Sequence, residues 1–217
     1  MGLKILLADD HRLMRQGLRE LISKHIGFEI VGETEDGAQT VRQASKLLPD
    51  VIVMDLTMPG LNGIEATRQV LAANPKTKIL ALSMHSDVRM VTEMLRAGAN
   101  GYLLKDAAAD ELIRAINAVS RGQTYLSPAV AGTLVQKHVR RPAGEGEETA
   151  FTLLSARERE VLQLLAEGRK TQDIAKQMCI SAKTVETHRR NIMQKLNLHS
   201  MADLTKYAVR EGLTSLE

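Results

Sequence analysis

Apolar and polar positions in the first 121 residues form five repeats of a short apolar run followed by a segment with helical spacing. Each run predicts a strand, because helices need longer patterns with apolar residues three and four apart. The predicted strands cover residues 5–8, 29–32, 51–54, 78–83 and 101–105. The predicted helices begin near Arg12, Gly37, Gly63, Val88 and Ala109. The apolar face of the first helix would contain Leu13, Leu18, Leu21 and Ile22. This alternation predicts an α/β domain with a doubly wound, five-stranded parallel (βα)5 sheet.

Polar side chains follow several of the predicted strands, at the point where each strand ends. Asp55 follows the third strand, whose continuous apolar run predicts burial on both faces of the sheet. Asp9 and Asp10 follow the first strand, Ser83 ends the fourth and Lys105 ends the fifth. These ends meet at one edge of a parallel sheet, where open α/β sheets bind ligands. Crowded carboxylates need a cation, and oxygen ligands suit Mg²⁺. The pattern predicts a phosphoryl site with a carboxylate nucleophile.

Each of these residues also has a simpler interpretation when it is taken alone. Asp9 and Asp10 could cap the helix that follows them, Lys105 could be a solvated charge, and Tyr102 could be a core residue. A phosphatase of the haloacid dehalogenase type would have the same fold and a similar acid cluster. Such phosphatases have a second aspartate two residues after the nucleophile, whereas Thr57 occupies that position here. The sequence therefore favours a protein that is not an enzyme.

The residues at the strand ends resemble those of the receiver domain of two-component response regulators, over residues 3–121. The resemblance implies that Asp55 accepts a phosphoryl group from a sensor histidine kinase. It also implies a Mg²⁺ site formed by Asp10, Asp55 and the main-chain carbonyl of Thr57, with Asp9 assisting through water.

The same resemblance gives roles to three residues on the fourth and fifth strands. Lys105 would pair with the phosphoryl oxygens, Ser83 would move to hydrogen-bond the phosphoryl group, and Tyr102 would change rotamer with it. Many receiver domains have threonine where this chain has Ser83. The hydroxyl group is kept, so we expect the function to be kept as well.

A linker is predicted at residues 122–150, between the first domain and a second one. Its later part, residues 137–149, contains several glycines and glutamates and no apolar periodicity, which is typical of a tether. Before it, residues 125–139 predict a helix with Ser127 as the N-cap and Pro128 in the first turn. This helix could belong to either domain.

The last part of the chain, residues 151–217, predicts an all-α domain of four short helices. Polar capping residues or helix stops divide it, and the helices begin near Ser155, Thr171, Ser181 and Ser200. The second and third helices are joined by a short turn. They therefore predict a helix-turn-helix unit.

The third helix of this domain, at about residues 181–196, has an apolar stripe opposite a polar stripe. The apolar stripe contains Val185, Ile192 and Leu196. Hydrogen-bonding and positive side chains on the outer stripe have the chemistry to read base edges in a DNA major groove. These residues are Lys183, Glu186, Thr187, Arg190 and Gln194. Residues near helix starts and margins would contact phosphates. These residues are Thr171, Ser181, Thr184, His188, Arg189 and Lys195. In an arbitrary helix, a solvated surface is the commoner explanation of a polar stripe.

The sequence at 154–162, together with Gly168, Ile174-Ala175 and the stretch from Ser181 to His188, resembles the LuxR-type helix-turn-helix domain. Combined with a receiver domain, it resembles the NarL/FixJ family of transcriptional regulators. The resemblance implies a homodimer, formed after phosphorylation, that binds an inverted repeat in double-stranded DNA, with RNA polymerase as a further partner. The fourth helix would supply a dimer contact through Met201, Leu204, Thr205 and Ala208. Leu204 and Ala208 could equally be core residues. The main alternative function is a phosphorylation-dependent protein-interaction module with a vestigial basic domain.

Composition and charge agree with a two-domain protein that binds a polyanion. The 217 residues are 44% hydrophobic, and no apolar run approaches the ~20 residues of a membrane span. The N-terminus lacks the layout of a signal peptide, and the single cysteine, Cys179, excludes an internal disulfide, so we expect a cytoplasmic protein. Residues 1–127 contain 15 Lys/Arg and 15 Asp/Glu, whereas residues 168–210 contain 9 and 3. Only the second half is basic enough to suggest a nucleic-acid partner.

Overall fold

The computed structural model describes residues 2–84, 86–140 and 149–214, without the side chains of 136–140. The chain divides into two compact units, Met1–Pro142 and Ala143–Glu217. None of the helices in the described part of the chain combines the length and apolar character needed to cross a membrane.

A parallel sheet forms the centre of the first unit, with its strands in the order β2-β1-β3-β4-β5-β6. The strands are β1 (Leu3–Ala8), β2 (Phe28–Thr34), β3 (Val51–Asp55), β4 (Lys78–Ser83), β5 (Gly101–Leu104) and β6 (Tyr125–Leu126). The first five confirm the predicted strands. Every neighbouring pair is parallel, and the four apolar residues of β3 are buried. The strand order reverses at β1 and β3, which is where doubly wound sheets bind their ligands.

The sixth strand corrects the predicted count of five. Tyr125 and Leu126 were predicted to begin a helix, but they pair with the edge of β5. The main-chain N–H of Tyr125 donates to the main-chain carbonyl of Asn100, and that of Ser127 donates to the main-chain carbonyl of Tyr102. Pro128 explains the boundary, because proline disfavours helical backbone in the residue before it. The helix therefore begins at Pro128, and the hydroxyl of Ser127 makes no hydrogen bond among the described residues.

Among the described residues of the first unit, six helices follow the six strands. They are α1 (Arg12–Ser23), α2 (Gly37–Leu47), α3 (Gly63–Ala73), α4 (Val88–Arg96), α5 (Ala109–Ser120) and α6 (Pro128–Arg140). Side chains at the N-caps of α2, α3 and α4 accept main-chain hydrogen bonds, which is why these helices begin where they do. These caps are Asp36, Asn62 and Asp87.

The predicted apolar face of α1 is wrong at two of its four positions. Leu13 is 83% exposed and Leu21 is 37% exposed, whereas Leu18 and Ile22 are buried. Arg15 is buried with them. It lies three residues before Leu18 and seven before Ile22, so these three positions share one helix face. The helix is therefore rotated toward Arg15 relative to the prediction.

The described part of the second unit, residues 149–214, contains the four predicted helices and one additional turn of helix. In chain order they are α7 (Ala150–Leu153), α8 (Ala156–Ala166), α9 (Thr171–Gln177), α10 (Ala182–Lys195) and α11 (Met201–Arg210). The additional turn is α7. The main-chain N–H of Ala150 donates to the carboxylate of Glu211 at 3.0 Å, which joins the start of this unit to the end of α11. Ser155, at the predicted start of a helix, forms a capping box with Glu158.

Candidate functional site

Three aspartates lie together at the carboxyl edge of the sheet in the first unit. Strands β1 and β3 are neighbours, so Asp9 and Asp10 after β1 come close to Asp55 at the end of β3. One carboxylate oxygen from each aspartate and one ring nitrogen of His11 lie within 4.8 Å of one another. Asp9 and Asp55 are each only 1% exposed. Buried carboxylate oxygens at this separation fit a hard divalent cation such as Mg²⁺.

Lys105 partly neutralises the cluster. Its ammonium nitrogen lies 2.7 Å from a carboxylate oxygen of Asp55 and 2.9 Å from one of Asp9, and its side chain is 4% exposed. Burial by itself would lower the pKa of Lys105, but the charges of Asp55 and Asp9 outweigh burial and raise it. The main-chain N–H of Lys105 also donates to the main-chain carbonyl of Ser83 at 2.8 Å, which fixes the lysine at the junction of β4 and β5.

The carboxyl group of Asp55 binds a proton more tightly than an ordinary aspartate does. Burial raises its pKa from 3.8 to about 6, and the nearby charges of Asp9 and Asp10 act in the same direction. Lys105 opposes this shift. The main-chain N–H of Thr57 donates to Asp55 at 3.3 Å, which keeps Thr57 beside the cluster. Asp55 is therefore a poorly solvated carboxylate with a cation beside it, and it is available as a nucleophile.

Ser83 and Tyr102 lie on neighbouring strands, two residues apart in register, because Tyr102 is opposite Ala81 and Ser83 is opposite Leu104. Both are buried. Their side chains are hydrogen-bonded to each other. Burial raises the pKa of Tyr102 to about 12, although the bond with Ser83 acts against this shift. The predicted pair is thus in direct contact at the edge that holds Asp55. A coupled movement of the two residues stays a prediction.

Two residues near the aspartates were missed in the sequence. His11 lies with its ring nitrogen Nδ1 2.8 Å from a carboxylate oxygen of Asp10, and its main-chain N–H donates to Asp9. Arg15 donates to the main-chain carbonyl of Asp9 at 2.6 Å. A signal for Arg15 was present, because it shares the buried face of α1 with Leu18 and Ile22. A charged residue on such a face needs a partner.

Two glycines allow the loop after Asp55 to lie close to the neighbouring helices. A Cβ atom at Gly63, the first residue of α3, would collide with the main-chain carbonyl of Asp55. A Cβ atom at Gly37, the first residue of α2, would collide with the carbonyl of Leu61. The backbone after β3 therefore packs directly on two helix starts, which positions Asp55 at the sheet edge.

In the second unit, α10 presents the predicted polar stripe to solvent. Val185 and Ile192 are fully buried in the core. All five residues of the outer stripe are exposed, as predicted. They are Lys183, Glu186, Thr187, Arg190 and Gln194. Thr184, His188 and Arg189 lie at the margin and are half-buried.

Several side chains of this surface have partners that the sequence did not indicate. The hydroxyl of Thr171 donates to the carboxylate of Glu186 at 2.8 Å, and Arg189 lies 3.7 Å from the same group. These contacts orient Glu186 at the start of the exposed stripe. Ser181 caps α10 by accepting from the main-chain N–H of Thr184 at 3.0 Å.

Lys195 has an internal partner rather than a free ammonium group. Its Nζ lies 2.8 Å from the carboxylate of Glu158, which is itself buried. Burial would raise the pKa of Glu158, but hydrogen bonds from Lys195 and Ser155 outweigh burial and lower it. The ion pair thus joins the end of α10 to the start of α8. The predicted phosphate contact of Lys195 stays a prediction, and it would compete with this pair.

The predicted dimer contact on α11 needs correction. Leu204 and Ala208 are fully buried in the core of the second unit, so neither side chain can contact a second chain in this conformation. Met201 packs partly against the same core, and Thr205 is half-buried. Of the four predicted residues, only Met201 and Thr205 remain available for such a contact.

Known families match both units of the chain. The response regulator receiver domain matches residues 5–117. The family of bacterial regulatory proteins named luxR matches residues 152–208. The chain belongs to the LuxR-type response regulators. This confirms the resemblance found in the sequence, and it identifies the protein as a two-component transcriptional response regulator with a receiver domain and a LuxR-type DNA-binding domain.

Relatives of this family match the chain over nearly its full length. The oxygen regulatory protein NreC of Staphylococcus carnosus is 39% identical over 214 residues, which covers 97% of this chain and 99% of that protein. The response regulator UvrY of Escherichia coli is 35% identical over 215 residues, with 99% and 97% coverage. RcsB of Salmonella enterica serovar Typhimurium, solved bound to the promoter rprA with the phosphomimetic BeF3−, has a TM-score of 0.58 and 28% identity, with 95% and 98% coverage.

Proposed function

We propose that phosphorylation of Asp55 by a sensor histidine kinase controls the binding of this response regulator to DNA. The observation that carries the proposal is the position of Asp55, which lies 2.7 Å from Lys105 and beside Asp9 and Asp10. A carboxylate oxygen of Asp55 would attack the phosphorus atom of a phosphohistidine, and the P–N bond to the histidine would break. The protein is in this proposal a regulator and not an enzyme.

Bound Mg²⁺ would supply positive charge to the phosphoryl oxygens. Asp10, Asp55 and the main-chain carbonyl of Thr57 would hold the ion, and Asp9 would assist through water. Once the acyl phosphate forms, Lys105 would leave the Asp55 carboxylate and pair with a phosphoryl oxygen. This exchange keeps the buried ammonium paired throughout.

Ser83 is the other residue that would rearrange to bind the new phosphoryl group. Its hydroxyl would turn from Tyr102 to donate to a phosphoryl oxygen. The hydrogen bond that joins Ser83 to Tyr102 supports this step, because breaking it would change the hydrogen bonding of the Tyr102 hydroxyl. Such a pair can bias a two-state element.

In the DNA-bound state, the exposed stripe of α10 would read base edges in the major groove. Arg190 can donate to guanine, and Glu186 can accept from cytosine. Thr171, Ser181, Thr184, His188 and Arg189 would contact phosphates and set the position of the helix. The DNA complex of RcsB supports this proposal because that relative is bound to a promoter. We further propose an inverted-repeat operator bound by a homodimer formed on phosphorylation, with RNA polymerase as a partner in the cytoplasm.

For the domain boundaries we propose a receiver domain at 3–121, a linker with a helix at 122–150, and a DNA-binding domain at 151–217. The helix α6 falls within the first compact unit of the chain. This supports assigning it to the receiver side of the linker.

One experiment tests both parts of the proposed function, the phosphorylation of Asp55 and the binding of DNA. The full chain is incubated with acetyl phosphate and Mg²⁺, its mass is measured, and it is then selected against a randomised double-stranded DNA library. We expect one added phosphoryl group and enrichment of a half-site sequence only after phosphorylation. Asp55→Asn should abolish both effects. Asp106→Asn, at an exposed aspartate one residue after Lys105, is the matched control and should behave as wild type.

The test of base reading by α10 can fail independently of the test of phosphorylation at Asp55. Arg190→Ala and Glu186→Ala should each cost ~1–3 kcal/mol on the selected site and relax preference at one base position. Equal labelling of Asp55→Asn would show that the phosphoryl acceptor is wrongly assigned. Uniform loss of affinity on all sequences in both α10 variants would show that this helix does not read bases.

A further inference from the structure

Arg15 connects three parts of the chain around the acid cluster. Its side chain is 9% exposed, and each nitrogen of its guanidinium group has a separate acceptor. Nη1 donates to the main-chain carbonyl of Asp9 at 2.6 Å, and Nη2 donates to Glu35 at 2.6 Å. Nε donates to Glu33 at 3.3 Å. A planar fork with several donors can satisfy such an arrangement, whereas an ammonium group cannot satisfy it fully.

The backbone of Asp9 is thereby held on both sides. Its main-chain N–H donates to the carbonyl of Thr34 at 3.1 Å, and its carbonyl accepts from Arg15. The carbonyl belongs to the peptide group that joins Asp9 to Asp10. Fixing the plane of this peptide limits the directions in which the Asp10 side chain can leave the backbone, because only the φ angle of Asp10 stays free between the two. The anchors of Arg15 at Glu33 and Glu35 lie on the end of β2 and directly after it.

We propose that Arg15 is a positioning residue for the metal-binding aspartates. It would hold the Asp9–Asp10 peptide so that both carboxylates converge on Asp55, and it would not itself touch the metal. This inference rests on the proposed function, because it assumes that the cluster binds Mg²⁺. The carboxylates alone would repel each other, and a tethered backbone resists the separation that this repulsion favours.

A purely structural role for Arg15 is the alternative that the test must exclude. Arg15 also neutralises Glu33 and Glu35, so its loss could lower stability without any effect on the metal site. Arg19 provides the matched control. It also binds Glu33, at 2.5 Å, but it is 63% exposed, and among the residues that the structure describes its only side-chain partner is Glu33.

The experiment measures the Kd of Mg²⁺ for the full chain by titration calorimetry, at a temperature where every variant is folded by circular dichroism. Residues that orient metal ligands typically contribute 10–100-fold to affinity. We therefore expect Arg15→Met to weaken Mg²⁺ binding by about tenfold or more. Arg15→Lys should recover part of the loss because its ammonium can still reach the Asp9 carbonyl. Arg19→Met should bind Mg²⁺ as wild type does.

A further variant covers the case in which Arg15→Met does not fold. Glu35→Gln removes the charge from an exposed anchor of Arg15, and we expect it to weaken Mg²⁺ binding in the same direction by a smaller factor. The inference is overturned if Arg15→Met binds Mg²⁺ with the same Kd as wild type. If Arg15→Met does not fold, the same result in Glu35→Gln overturns it. If wild type itself binds no Mg²⁺, while the phosphorylation test also fails, the proposed function fails and the inference falls with it.

Discussion

Replacing Asp55 by asparagine should stabilise the receiver unit when Mg²⁺ is absent. Burial raises the pKa of Asp55 from 3.8 to about 6, so ionising this group costs more in the folded chain than in the unfolded chain. Each pKa unit corresponds to about 1.4 kcal/mol. The shift of two units therefore destabilises the folded state by about 3 kcal/mol at pH 7.5. Asparagine has nearly the same shape and carries no charge, and Lys105 keeps Asp9 as its partner at 2.9 Å.

The pKa of about 6 already includes the attraction between Asp55 and Lys105. The gain should still be smaller than the full cost, because the amide group of asparagine brings N–H donors into a buried site beside the Lys105 ammonium, and these donors need acceptors. We expect Asp55→Asn to be more stable by ~1–3 kcal/mol, which is a rise of roughly 5 °C in the midpoint of thermal unfolding. The sign of the pH dependence follows from the raised pKa. The folded state binds the proton more tightly, so the cost of Asp55 in wild type develops as the pH rises from about 4 to 6 and is fully present above that range.

Scanning calorimetry of the full chain in a chelator measures both effects. The difference between Asp55→Asn and wild type should be about a third of its full value at pH 4.5 and largest at pH 7.5. Asp106→Asn removes the charge of an exposed aspartate and should show no such difference. The reasoning is refuted if Asp55→Asn is no more stable than wild type at pH 7.5, or if its advantage does not depend on pH.

Two further substitutions test contacts elsewhere in the protein. Lys195→Met should destabilise the second unit by about 1 kcal/mol, because it leaves the buried carboxylate of Glu158 without its cation. The loss should disappear in acid, when the pH falls through the lowered pKa of Glu158 and its carboxylate is protonated. Denaturant unfolding checks this, with the exposed Lys183→Met as the control, and equal loss in both variants would contradict the ion pair. Gly63→Ala should destabilise the first unit by ~1–3 kcal/mol, because the new Cβ would collide with the Asp55 carbonyl. Gly17→Ala is the control and should not destabilise it, because a Cβ there meets nothing within 4 Å. An unchanged free energy of unfolding in Gly63→Ala would contradict the close approach.

The sequence was sufficient for the sheet and for most of the acid cluster. A buried parallel strand has a continuous apolar run, and the carboxyl ends of such strands must share one edge. The sequence alone therefore predicts that Asp9, Asp55 and Lys105 lie together. Strand β6 could not be predicted in this way. It has only two residues, and its pairing with β5 depends on main-chain hydrogen bonds that leave no side-chain pattern.

The remaining errors concern charged or apolar residues whose partners are distant in the chain. Arg15 is separated by 18 and 20 residues from the two carboxylates that it binds, and Lys195 by 37 from Glu158. Periodicity describes one helix at a time and carries no information about such pairs. The same reason explains Leu204, because a helix face that packs on its own domain has the same pattern as one that packs on a second chain.

Gly37 and Gly63 limit how far this acid cluster could be moved to another protein. The chemistry belongs to three aspartates and a lysine, yet the backbone after Asp55 can lie where it does only because two helices begin without a side chain. Grafting the four charged residues onto a different parallel sheet would reproduce the charges and not their spacing. A successful transplant would have to include both helix starts and the loop between β3 and α3 as one piece.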